Sequence, residues 1–167
     1  GVAFTFQVAA LTATGGGLPS TPSSPVMPRP APGAPAITSA TPGNRQIQVT
    51  WTAPADPGGS AITAYRVTPH RGATTDQAIT VAATARTATV TGLVVGTTYT
   101  FTVAAVNAYG TGRDSAPSPA VTAIGVAGAP TLVRAAPRNA AAVVTWVAPT
   151  STGGAIVTAY LVTPYRA

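Results

Sequence analysis

The chain has 167 residues and a formal net charge of +6, and only 7% of its residues are charged: nine Arg, three Asp (Asp56, Asp76, Asp114) and no Lys or Glu. One His, one Met and no Cys exclude a disulfide framework, a thiolate metal site, a cysteine nucleophile and a His-rich zinc cluster. Gly and Pro number 17 each and apolar residues reach 46%, which argues against both a helical bundle and disorder and leaves a β-rich chain of Val, Thr, Tyr and Ala.

No apolar run approaches the roughly 20 residues of a membrane helix. Residues 1–17 alternate partly with period two and carry no basic leader, so they are predicted as strand and not as signal peptide. Residues 18–32, with their many prolines, are predicted to hold a further strand and then a stiff, extended junction. A weak strand is expected at 36–40. Ile47, Val49 and Trp51 alternate with polar neighbours and mark a second strand, followed by a loop at Asp56-Pro57-Gly58-Gly59. Ile62, Tyr65 and Val67 mark a third, predicted to end at Pro69. Ile79 with Val81 and Ala88 with Val90 mark two more. Tyr99, Phe101, Val103 and Ala105 give the strongest alternation. A glycine-rich loop is expected at 107–112 and a last strand at 120–124. Seven short strands without a helical period predict a β-sandwich.

The sequence also repeats. A shift of 95 residues carries Gly33-Ala34-Pro35 onto Gly128-Ala129-Pro130, and Val49-Thr50-Trp51 onto Val144-Thr145-Trp146. It carries Gly58-Gly59 onto Gly153-Gly154, Tyr65 onto Tyr160, and Phe101 back onto Phe6. About half of the positions in 33–72 and 128–167 are identical. The expected organisation is the C-terminal part of one repeat with a Pro-rich linker at 1–32, a complete repeat at 33–127, and the N-terminal part of the next at 128–167.

Pro35, Trp51 with Pro54 after it, Tyr65 and the run from Gly92 to Asn107 together resemble a fibronectin type III domain. The run is similar to the Leu-to-Tyr corner of that family, here Leu93 and Tyr99, followed by its alternating sixth strand. The resemblance implies an all-β, immunoglobulin-like seven-stranded sandwich, in tandem repeats of period 95. It implies structural roles for Trp51, Tyr65, Leu93, Tyr99 and Phe101, and for Trp146 and Tyr160 in the next copy. The first piece would hold strands F and G, and the last would hold strands A to C. Tyr99 would bury its ring and bond its hydroxyl to upstream backbone. Phe4 stands at the matching position of the preceding copy, so that corner is expected to be looser by about 1 kcal/mol. The loops at Asp56 and around Asp114 are expected at the pole next to the preceding repeat, with repeats joined end to end. The second junction, 124–128, is small and apolar, and is expected either to pack more closely or to flex more.

No chemistry emerges from the polar residues. Asp56 and Asp114 fall short of the six or so oxygens a hard cation needs, and nothing suggests a cleft, so no metal, cofactor or catalytic site is expected. His70 has Tyr165 at its repeat-equivalent position and reads as an exposed aromatic edge. Gly112-Arg113-Asp114-Ser115 lacks the Arg-Gly-Asp order and reads as an exposed polar loop, so no adhesion site is carried over. The arginines form no run and interleave with no aromatics, which excludes a nucleic-acid platform and leaves non-specific attraction to an anionic wall polymer or glycan. Arg71 and Arg166 are repeat-equivalent, which points to a structural contact. The Ser/Thr and Pro of 18–32 read as a bare linker in preference to a glycosylated stalk. The two end pieces of neighbouring molecules would lack the segment equivalent to 73–95 if they joined, so a fragment of a longer array is expected.

The expected function is non-enzymatic. The modules are structural spacers of a larger extracellular, secreted or surface-attached protein of bacterial type, forming a rod or filament or presenting adhesion surfaces. Partners are neighbouring repeats and copies of the chain itself. The alternatives are a linker in a secreted polysaccharide-degrading enzyme, and a phage or virion surface decoration.

Overall fold

A computed structural model describes residues 2–166; Gly1 and Ala167, the outer residues of the two expected end pieces, lie outside the described residues. The described residues hold strands and turns and no helix. The strands are β1 (Leu11–Thr12), β2 (Gly15–Gly16), β3 (Ala36–Gly43), β4 (Gln46–Thr52), β5 (Ile62–Arg71), β6 (Thr74–Thr75), β7 (Ile79–Ala82), β8 (Thr87–Thr91), β9 (Thr98–Asn107), β10 (Gly110–Asp114), β11 (Val121–Thr122), β12 (Thr131–Arg138) and β13 (Ala141–Val147).

Residues 33–124 form a β-sandwich. One sheet has the order β3-β4-β8. In the other, β5 and β9 pair centrally, flanked by β6 and β7 on one side and by β10 and β11 on the other. The alternation in β4 buries Ile47, Val49 and Trp51 and exposes Gln46 and Gln48, as a strand with one face on the core must. Those side chains meet Tyr65, Val67, Tyr99, Phe101, Val103 and Ala105 from the opposite sheet. Leu93 and Ala123 close the core at one end.

Pro69 was expected from the sequence to end its strand and does not; β5 continues to Arg71. The Pro69 carbonyl accepts from the Asp76 N–H at 2.9 Å. In an antiparallel strand the N and C=O of one residue point to the same side, so the proline nitrogen also faces that edge. There β7 pairs with Ala64 to Val67 and β6 with His70 and Arg71. The gap between them leaves no acceptor without a donor, and such an interruption is where a sheet tolerates proline.

The loop expected at 107–112 is also shorter than the sequence suggested. Asn107 pairs directly with Gly110, because the Asn107 Oδ1 accepts from the N–H groups of Tyr109 (2.8 Å) and Gly110 (3.2 Å). The chain thus re-enters the ladder as β10, and Arg113 and Asp114 lie in a strand instead of a loop.

Before β9, the chain turns at Gly96, whose φ of +81° suits glycine. The Val94 N–H donates to the Tyr99 hydroxyl at 3.1 Å. Tyr99→Phe is therefore expected to cost about 1 kcal/mol in urea denaturation. Tyr65→Phe should cost close to nothing, because the buried Tyr65 hydroxyl makes no hydrogen bond and its removal orphans no partner.

Outside the sandwich, the N-terminal segment forms an antiparallel hairpin, with β1 on β2 and Phe4 bridged to Val26. β12 pairs with β13. Residues 156–166, expected to hold a third strand of that piece, contain none, since a strand is defined by a ladder and no segment of the described chain pairs with them.

Candidate functional site

The sandwich pole that receives the preceding linker gathers long-range polar contacts between linker, loop and turn. The loop after β4 starts this site. The Asp56 Oδ1 accepts from the Gly58 N–H at 2.8 Å, and its backbone carbonyl accepts from the Gly33 N–H at 2.9 Å. The first bond shapes the turn that gives Gly58 its φ of +78°. The Gly59 N–H then donates to the Pro30 carbonyl at 2.9 Å, and Arg29 Nη1 donates to the Gly59 carbonyl at 3.2 Å.

Asn107, the last residue of β9, ties the pole together. Its side-chain nitrogen donates to the carbonyls of Pro57 (3.0 Å) and Pro30 (3.3 Å), while its oxygen closes the turn into β10. One buried amide thus joins linker, loop and turn. Pro32 is buried against Gly112, where any side chain would meet the Pro32 carbonyl. A cavity of about 390 Å³ beside it is lined by Ala31, Pro32, Gly33, Asp56, Thr111, Gly112 and Arg113. Asn107→Ala is expected to raise amide exchange at Gly59 and Gly110 at least tenfold while lowering stability by about 1–3 kcal/mol, since the Pro30 and Pro57 carbonyls lose a buried donor.

The geometry recurs 95 residues on. The Gly128 N–H donates to the Ser151 carbonyl at 2.8 Å, and the Gly153 N–H to the Ser151 hydroxyl at 3.3 Å. Gly153 has φ +70° and sits against the carbonyls of Gly125 and Val126. One bond differs: the Gly125 N–H donates to the carbonyl of Gly153, the equivalent of Gly58, at 2.6 Å, a bond that Pro30 has no N–H to make.

Four serines escaped the sequence reading. Between β10 and β11, the Ser115 and Ser118 N–H groups bond the carbonyls of Val103 and Phe101, and their hydroxyls accept from the N–H groups of the same two residues at 3.0 and 3.1 Å. Ser20 and Ser23 do the same for Val8 and Phe6, at 3.2 and 3.0 Å. The side chains keep the ladder bonded where Pro117 and Pro22 interrupt it. The signal was a Ser-x-Pro-Ser pattern at 20–23 and again at 115–118.

The other residues singled out in the sequence do not converge. Asp114 sits on β10 opposite Ala104, not in the pole loop with Asp56. Among the described residues no three His, Asp or Glu side chains gather where one ion could be held. His70 is half-buried and not a free edge: its Nδ1 lies 3.2 Å from the Thr75 hydroxyl and its Nε2 3.1 Å from that of Thr102. Trp51, Tyr65, Leu93, Tyr99 and Phe101 are buried. Trp146 is half-buried and Tyr160 is 39% exposed, yet their rings meet at 5.1 Å and 58°, against 5.5 Å and 57° for Trp51 and Tyr65.

Arg71 forks onto Asp76, with Nε to Oδ2 at 2.8 Å and Nη2 to Oδ1 at 2.6 Å. These bonds hold the Asp76 carboxyl below its ordinary range. A depressed carboxylate stabilises the fold above its unfolded pKa and loses that contribution as pH falls through the folded one. The urea-midpoint difference between the parent and Asp76→Asn should therefore be small at pH 7 and vanish as pH drops below the carboxylate range.

Comparison with known proteins bears on the whole arrangement. The family model for the fibronectin type III domain matches residues 30–121. Among solved structures, the twitchin kinase region from C. elegans superposes with a TM-score of 0.52 at 23% identity, over 56% of this chain and 17% of that one. A crystal structure of domains from titin gives 0.49 at 31%, over 56% and 32%. The FN1–FN3 domains of chicken CNTN1 give 0.49 at 19%, over 71% and 40%. The chain thus spans well under half the length of these structures. Among the described residues no helix is long and apolar enough to cross a membrane.

Proposed function

The chain belongs to the fibronectin type III family, and from that premise we propose that it is a run of non-catalytic structural modules that space and align a larger protein. The carrying observation is the seated linker: the carbonyl of Pro30 is caught by the Gly59 N–H and the Asn107 side chain. A module that grips the chain leading into it fixes its orientation to whatever precedes it. The same loop geometry 95 residues later supports repeats of that period, with 33–127 as the complete unit flanked by pieces at 1–32 and 128–167. So do the paired Trp–Tyr contacts, the serine pairs and the left-handed turn residues Arg45 (φ +53°) and Ala140 (φ +52°).

In this reading the protein lies outside the cell or on its surface, as modules of this family commonly do, with neighbouring repeats and copies of itself as partners. Small-angle scattering tests it. At dilutions where the chain is monomeric it should give an elongated profile whose maximum dimension does not change between low and high salt. A compact globule, or a broad flexible ensemble, would count against a spacer.

A further inference from the structure

The sheet carrying β5 and β9 has one face on the core and one face bare. Register fixes what lies on the bare face, because residues paired across antiparallel strands share a side. Ala104 on β9 pairs with Arg66 on β5 and, on its other side, with Asp114 on β10. Thr68 pairs with Thr102, Ala64 with Val106, and Arg66 also with Thr80 of β7. The middle of this face is closed: Ala104 is 0%, Thr68 6% and Thr102 9% exposed although they point away from the core, so the exposed side chains around them make its surface.

Two exposed charges of opposite sign stand on this face, in one row, one strand to either side of buried Ala104. Their backbones are therefore about 10 Å apart. They form no ion pair with each other; the one among the described residues is Arg71–Asp76.

We propose that this face is a contact between two copies of the chain, which deepens the self-association named above. A two-fold axis lying along β9, between two such faces, exchanges left and right while keeping the row. Each Arg66 then meets the second copy's Asp114, one such pair on either side of the axis. Self-complementarity of this kind is what a two-fold interface requires. The repeat equivalents of Arg66 and Asp114 are Leu161 and Pro19, so the charge pair marks this module and sets the register between copies. A single face of this size makes a weak dimer.

Sedimentation equilibrium of the full chain at low salt tests the contact. Arg66→Asp and Asp114→Arg each place like charges opposite one another twice per dimer, and each should weaken association by about tenfold or more. Mixing the two variants should restore it to within about threefold, because one then offers two acids where the other offers two arginines. Unchanged urea midpoints would show that both variants fold. Association through the hairpin or through residues 128–166 would ignore both reversals, and that result overturns the proposal. So does a mixture that fails to recover. A pair closed within one face would instead shift the midpoints without moving association, and would also overturn it. The spacer reading is scored on the dimension of the single chain and stands or falls separately.

Discussion

Replacing Trp51 with Ala should remove a large share of the stability of the sandwich, at a cost of about 3–5 kcal/mol against the 5–15 or so that a domain of this kind commands. Trp51 is 1% exposed and its ring lies 5.5 Å from that of Tyr65, which is wholly buried. Truncation would leave a hole between the two sheets that β4 and β5 cannot close, because each is held in register by its own ladder, β4 by β3 and β8, β5 by β9. Trp51→Phe should cost much less. The Trp51 Nε1 makes no hydrogen bond, so no polar partner is orphaned and the loss is one of volume, about 1–2 kcal/mol. Trp146→Ala supplies the internal comparison. Its contact with Tyr160 has nearly the same geometry, but Trp146 is only half-buried and Tyr160 is 39% exposed. Far-UV dichroism in urea should rank the three variants in that order, with Trp146→Ala within about 1 kcal/mol of the parent. Equal costs for the two Trp→Ala changes would show that ring contact, not burial, sets the energy.

The core was legible because alternation encodes it directly. Each inward residue of β4, β8 and β9 stands two positions from the next, and a one-residue slip would expose the whole set. Proline misled at Pro69, predicted as a stop, where the local absence of a neighbour makes it harmless. At 115–118 the sequence assigned no role to the serines whose hydroxyls replace the missing ladder bonds. Both outcomes depend on which strand lies alongside, and no local pattern carries that. The seat of the linker was half legible. Asp56-Pro57-Gly58-Gly59 announced a turn, and fold geometry put that turn near the preceding unit. The role of Asn107 was hidden, since its partners Pro30 and Pro57 lie 77 and 50 residues away. Asp114 was misplaced for a related reason: a two-residue turn closed by Asn107 draws it into a strand, and hence onto the bare face.

A side chain at Gly58 should release the linker while leaving the sandwich folded. Gly58 has φ +78°, and a Cβ there would lie 2.5 Å from the Pro30 carbonyl oxygen. That neighbour is backbone, so it cannot swing aside like a side-chain tip, and loop and linker must separate. The Gly59 and Asn107 bonds to Pro30 would break together. Gly58→Ala also carries a conformational cost of about 1–2 kcal/mol for an L-residue in the left-handed region, and that cost must be separated from the steric one. Gly92 provides the control: its φ is +73° and nothing lies within 4 Å of the site a Cβ would occupy. Gly92→Ala should lose about the same stability while its linker stays seated. Amide exchange at Gly59 and Gly33 is the readout, since these N–H groups are held by Pro30 and Asp56. Exchange should accelerate at least tenfold in Gly58→Ala and stay within about twofold of the parent in Gly92→Ala. Equal acceleration in both would mean that the linker is held only by the overall stability of the module. Acceleration in Gly58→Ala alone would mean that the glycine loop itself is the clamp through which one module orients the next.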